Sequence, residues 1–151
     1  MDTVPKRRVV TLPYRTVTAA LERNIRLPVV NPAFYQVVAI VASLACLYTE
    51  SLWLKFSLIA LILLTDWLDG ATVRQHGQPG RPGYIMDVVI DRASEVIIFT
   101  GEAGRALGNL FFLLSLANIG LAYYSIKTGK HTSLPLRCAW LFVLGAQALA
   151  L

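Results

Sequence analysis

Four aspartates fall in two pairs within one short window of the sequence: Asp66 with Asp69, and Asp87 with Asp91. On a helix, side chains at i and i+3 lie about 300° apart and those at i and i+4 about 40° apart, so each pair shares one face. Both pairs sit in or at the mouths of strongly apolar stretches. A charge there costs roughly 2.5–3.5 kcal/mol or more at a bilayer centre, and such residues turn towards a polar cavity. Four crowded carboxylates cannot all stay ionised without a counter-charge, and divalent cations supply it. Oxygen donors with no His or Cys nearby favour Mg²⁺ or Mn²⁺ over Zn²⁺. Two hard cations at a polar boundary suit a diphosphate, whose charge they neutralise and whose leaving phosphate they stabilise. The residues between the pairs agree with a phosphorylated ligand. Gly70 allows close approach to the backbone, Gly83 stands one helical turn before Asp87, and Arg74 offers a delocalised fork to phosphate oxygens.

Elements able to position these groups follow from composition. The chain has 151 residues, 56% of them hydrophobic and only 15% charged. Its mean hydropathy is +0.57. A soluble globule of this size has too little interior for so much apolar surface, and disordered, coiled-coil and collagen-like chains are excluded. Five apolar stretches, Ala33 to Thr49, Leu52 to Asp69, Tyr84 to Thr100, Asn109 to Ile126 and Leu134 to Leu151, are 17 or 18 residues each. That length is adequate against the ~17–25 residues of a spanning helix, and predicts an all-α integral membrane bundle of five helices.

The net charge is +5, and six of the fourteen Lys and Arg precede residue 30. With the amino terminus in the cytosol, eleven basic residues lie on that side and Arg105 alone lies opposite, which sets the orientation and puts the aspartates at the cytosolic boundary. These basic residues lack the Gly and aromatic interleaving of an RNA binder, so nucleic acid is not an expected partner. Leu12 to Leu27 alternates apolar and charged residues as an interfacial amphipathic helix does. The expected organisation is a cytosolic basic segment over 1–32 and a membrane domain over 33–151. Cys46 and Cys138 have no metal spacing near them and are expected as buried small hydrophobes. Lys55, beside Trp53, is expected to snorkel to the outer interface, and Trp140 to serve in a belt or in packing.

The spacing Asp66-x2-Asp69-Gly70-x3-Arg74-x8-Gly83-x3-Asp87-x3-Asp91 resembles the signature of the CDP-alcohol phosphotransferase family, D-x2-D-G-x2-A-R-x8–9-G-x3-D-x3-D, at seven of its eight defined positions. The resemblance implies transfer of a phosphatidyl or substituted phosphate group from a CDP-linked donor, commonly CDP-diacylglycerol, to a small alcohol, with release of CMP. It implies Asp66, Asp69, Asp87 and Asp91 as ligands of two Mg²⁺ or Mn²⁺ ions, Asp91 as general base on the acceptor hydroxyl, and Gly70, Arg74 and Gly83 as the lining of the CDP site. It also implies a homodimer in the lipid bilayer. Three departures stand out: Val73 replaces the family's Ala, Asn31-Pro32 replaces a Pro-Asn-x-x-Thr element before the first span, and five apolar stretches replace the usual six helices.

Other readings of the same carboxylates are a cation-coupled transporter, a catalytically inactive scaffold of the same fold, and a prenyl-diphosphate transferase. A transporter would tolerate altered spacing and show inverted repeats, none of which is visible; a prenyl transferase would carry its acidic segments on distant helices. Arg92 and Glu95 are expected to pair along their helix, with helix packing as the default for Glu95 and a role in the site as the alternative. Arg81, Arg105, Lys127, Lys130 and Arg137 could help to bind a phosphorylated acceptor, although topology accounts for most of them, and His76 and His131 are expected as solvated loop residues. Gly101, Gly104 and Gly108 are expected to form a turn with close helix packing.

Overall fold

Each apolar stretch is a helix: α1 (Pro32–Tyr48), α2 (Leu52–His76), α3 (Arg81–Gly101), α4 (Ala106–Thr128) and α5 (Leu136–Leu149). The computed structural model describes residues 25, 27, 30–76, 80–128 and 132–150. The expected interfacial helix over Leu12 to Leu27 therefore lies outside the described residues except at Ile25 and Leu27, as do Lys130 and His131.

Helix starts follow local capping chemistry. The Asn31 side chain accepts a hydrogen bond from Ala33 N at 3.0 Å, and Pro32 occupies the first turn, where its missing N–H costs nothing. Pro82 does the same for α3, which starts at Arg81 rather than at the expected Tyr84. α2 runs on past Asp69 to His76, because the hydropathy ends at Asp69 while Val73, Arg74 and Gln75 still tolerate or favour helix. Asp66 and Asp69 thus lie inside a rigid helix and not at its end. The extra turns also fasten the segment before α1: Leu27 N donates to Gln75 Oε1 at 3.0 Å, Gln75 Nε2 donates to Ile25 O at 2.9 Å, and His76 Nε2 lies 3.1 Å from Leu27 O.

Val37, Val41, Leu61, Leu64, Leu110, Leu113 and Phe142 face outward, while Ser43, Thr65, Ser94, Glu95, Ser115 and Asn118 are buried alongside an apolar core that includes Ile59, Ile62, Ile98 and Leu144. An apolar outer surface with polar side chains partnered between helices is an arrangement that lipid favours. α1 meets α3 through small residues, and Ser43 Oγ and Ser94 Oγ are 2.6 Å apart. α2 packs on α5 and α3 on α4. Phe99, Phe111 and Trp140 form the aromatic centre, with ring centroids 4.8–5.8 Å apart, so Trp140 is a packing residue. Among the described residues, two helices are long and apolar enough to cross a membrane, over Leu52–Val73 and Ala106–Thr128.

Two expectations are corrected here. Lys55 does not snorkel: it is buried, and its Nζ lies 2.6 Å from Glu102 Oε1. An ammonium in an apolar surround is held by a carboxylate more firmly than by a distant interface. Replacing Lys55 alone by Met should therefore destabilise the fold by about 3–5 kcal/mol, whereas adding Glu102→Leu should recover most of it; thermal unfolding in detergent is the measurement. Cys46 is buried but Cys138 is exposed on α5.

Of the three glycines expected in the α3–α4 turn, only Gly104 lies in it; Gly101 ends α3 and Gly108 stands in the first turn of α4. Gly104 has φ +101°, and its N–H donates to Asn109 Oδ1 at 2.9 Å. A Cβ on Gly108 would stand 1.9 Å from the Glu102 carbonyl oxygen. Gly108→Ala must displace the turn that aims Glu102 at Lys55, and is expected to lower thermal stability by about 1–3 kcal/mol.

Candidate active site

At the end of the bundle away from the Lys55–Glu102 pair, residues of α1, α2, α3 and α5 line a shallow open cleft. Tyr35, Gln36 and Ala39 come from α1, Thr65, Asp66 and Asp69 from α2, Asp87, Ile90 and Asp91 from α3, and Arg137 from α5. The antiparallel course of α2 and α3 brings both acidic pairs to the same depth.

Asp66, Asp87 and Asp91 converge most closely, each offering one carboxylate oxygen within 4.8 Å of the others. Asp69, one turn beyond Asp66, lines the same cleft but is not part of this triad. It is only 7% exposed, and its Oδ1 is buried without a hydrogen-bond partner. An orphaned carboxylate oxygen is costly unless something outside the protein satisfies it. With the all-oxygen donor set, this fits a hard divalent cation or the polar end of a ligand. Gly70 follows Asp69 within α2, and Gly83 lies exposed in the first turn of α3, one turn before Asp87. Arg74 lies on α2 two turns beyond Asp66; its side chain is outside the described residues.

Arg137 is the residue that the sequence conceals. Expected as a topological charge, it is instead buried at the start of α5, with Nη2 2.7 Å from Asp91 Oδ1 and 3.6 Å from Asp66 Oδ2. Its Nε lies 3.8 Å from Glu95 Oε1. Glu95, 2% exposed, does pair with Arg92 as expected, at 2.8 Å, and its Oε2 also accepts from Asn118 Nδ2 at 2.9 Å. It therefore belongs to the second layer of the site as well as to helix packing. Asn118 fixes the approach to α5: its Oδ1 accepts from Leu134 N at 2.9 Å and its Nδ2 donates to Leu134 O at 3.1 Å. One amide thus ties α4, the linker before α5 and Glu95 together. The signal available beforehand was a basic residue placed three positions into an otherwise apolar stretch.

Arg105 stands at the far end of the bundle, 3.5 Å from Glu102 and 4.0 Å from Glu50, and does not reach the cleft. A family model described as CDP-alcohol phosphatidyltransferase matches residues 31–145, a region that contains every residue lining the cleft. No curated protein and no solved structure matches the chain.

Proposed function

The chain belongs to the CDP-alcohol phosphatidyltransferase family, and from that premise we propose that it transfers the phosphatidyl group of CDP-diacylglycerol to the hydroxyl of a small alcohol, in phospholipid biosynthesis. Membership makes it a membrane-embedded transferase acting on a CDP-alcohol, in a family that uses divalent metals. The observation that carries the finer reading is the convergence of Asp66, Asp87 and Asp91 from two helices joined by one loop.

In this reading Asp66, Asp69, Asp87 and Asp91 hold two Mg²⁺ or Mn²⁺ ions, and Gly70, Arg74 and Gly83 line the CDP site. Held by these residues, such ions would supply charge neutralisation for the diphosphate and for the CMP leaving group. Asp91 supplies the base. An un-ionised alcohol is a poor nucleophile, and a carboxylate within hydrogen-bond reach takes its proton as the oxygen bonds to phosphorus and the bond to CMP breaks. The apolar outer faces of α1 and α2 let a two-tailed donor stay in lipid while its head group enters the cleft. In this reading the cleft and residues 1–32 lie on the cytosolic side, which the excess of basic residues near the amino terminus supports, 33–151 is the membrane domain, and the working unit is a homodimer.

The test is direct. Purified protein with CDP-diacylglycerol, Mg²⁺ or Mn²⁺ and a panel of alcohols should release CMP only when the right acceptor is present. Ion flux without CMP would replace this reading by a transporter, and an intact fold with neither activity by a scaffold.

A further inference from the structure

Arg137 touches the same carboxylates that the proposed function assigns to metal. Its Nη2 bridges Asp91 Oδ1 and Asp66 Oδ2, two members of the triad. The other Asp91 oxygen is 3.9 Å from Arg92 Nη2. A guanidinium and a divalent cation at these oxygens repel each other and compete for the same lone pairs. A second anchor lies alongside. Glu95 Oε2 is engaged by Arg92 and Asn118, whereas Oε1 faces the Arg137 Nε at 3.8 Å, just beyond hydrogen-bond reach.

We propose that Arg137 is a displaceable counter-ion: it holds Asp66 and Asp91 together when no metal is bound, and withdraws onto Glu95 when a divalent cation takes its place. This rests on the metal reading of the site given above. Burial supports it, because uncompensated carboxylates at the bundle's polar end would repel, and a resident cation keeps the ligands converged until the metal arrives. Asn118 supports it too, since its double hydrogen bond to the Leu134 backbone fixes the start of α5 while it also holds Glu95. Swinging the guanidinium between two carboxylates then needs only side-chain rotation. Glu95 is accordingly a positioning residue, acting through Arg137.

The experiment measures Mn²⁺ binding to detergent-purified protein by electron paramagnetic resonance of free Mn²⁺, together with thermal unfolding, and needs no substrate. Arg137→Gln should bind Mn²⁺ about tenfold more tightly than wild type, because juxtaposed like charges are costly in a poorly screened site. It should also be less stable without divalent ions and regain stability with Mn²⁺. Glu95→Gln should bind Mn²⁺ more weakly than wild type, its Arg137 having lost the alternative anchor, and this weakening should vanish when both substitutions are combined. Weaker binding by a folded R137Q, a Glu95→Gln effect undiminished in the double variant, or an R137Q that stays unfolded in saturating Mn²⁺ would each overturn the proposal. Those results, with wild type binding Mn²⁺, would leave the proposed function standing. Wild type that binds no Mn²⁺ would overturn both.

Discussion

Asp91→Asn should insert and fold as the parent does, yet release CMP about 10²–10⁴-fold more slowly, the range over which a positioned general base contributes. The substitution keeps size and hydrogen-bonding shape while removing the oxygen able to accept the acceptor's proton. Its effect on folding should be modest. Asp91 is 21% exposed at its side chain, and an amide can still accept from Arg137 through its oxygen. Initial rates of CMP release with saturating donor and acceptor, beside thermal unfolding of the same preparation, separate the two effects. A variant that is stable and retains more than a tenth of wild-type turnover would remove Asp91 from the role of base.

The second large effect concerns the ligand set. Asp87→Ala deletes one of three converging donors, and should raise the Mg²⁺ or Mn²⁺ concentration for half-maximal activity by about 10²-fold or more, beyond the loss typical of an outer-shell partner. Chelation should likewise abolish wild-type turnover, and added Mg²⁺ or Mn²⁺ should restore it. A titration of rate against free metal decides the matter. Unchanged metal dependence in Asp87→Ala would place the cation elsewhere.

The helices were legible because hydropathy over 17–18 residues is a coarse signal that survives without tertiary information, and the spacing of Asp66, Asp87 and Asp91 fixed their faces within those helices. Helix ends were less legible. α2 continues to His76 because its last residues are polar but helix-tolerant, so an apolar boundary is not a helical one. Most concealed were the charges whose roles depend on partners remote in sequence. Arg137 meets Asp91 across 46 positions, and Lys55 meets Glu102 across 47. Local context gives each a simpler explanation, a topological charge for one and an interfacial side chain for the other. Only the packing of α5 on α2, and of both α2 and α3 on α1, places an oppositely charged partner within reach. Asn118 was hidden for a related reason: an amide in an apolar stretch shows its worth only when the linker it fastens is in view.

Everything proposed for the reaction depends on a cation being shared by oxygens from α2 and α3. An experimental structure of the protein soaked in Mn²⁺, with anomalous scattering recorded for the metal, tests this without reference to turnover. A peak bounded by Asp66, Asp87 and Asp91 is the predicted result. Full-occupancy Mn²⁺ bound elsewhere, or no peak between carboxylates that still converge, would contradict the account.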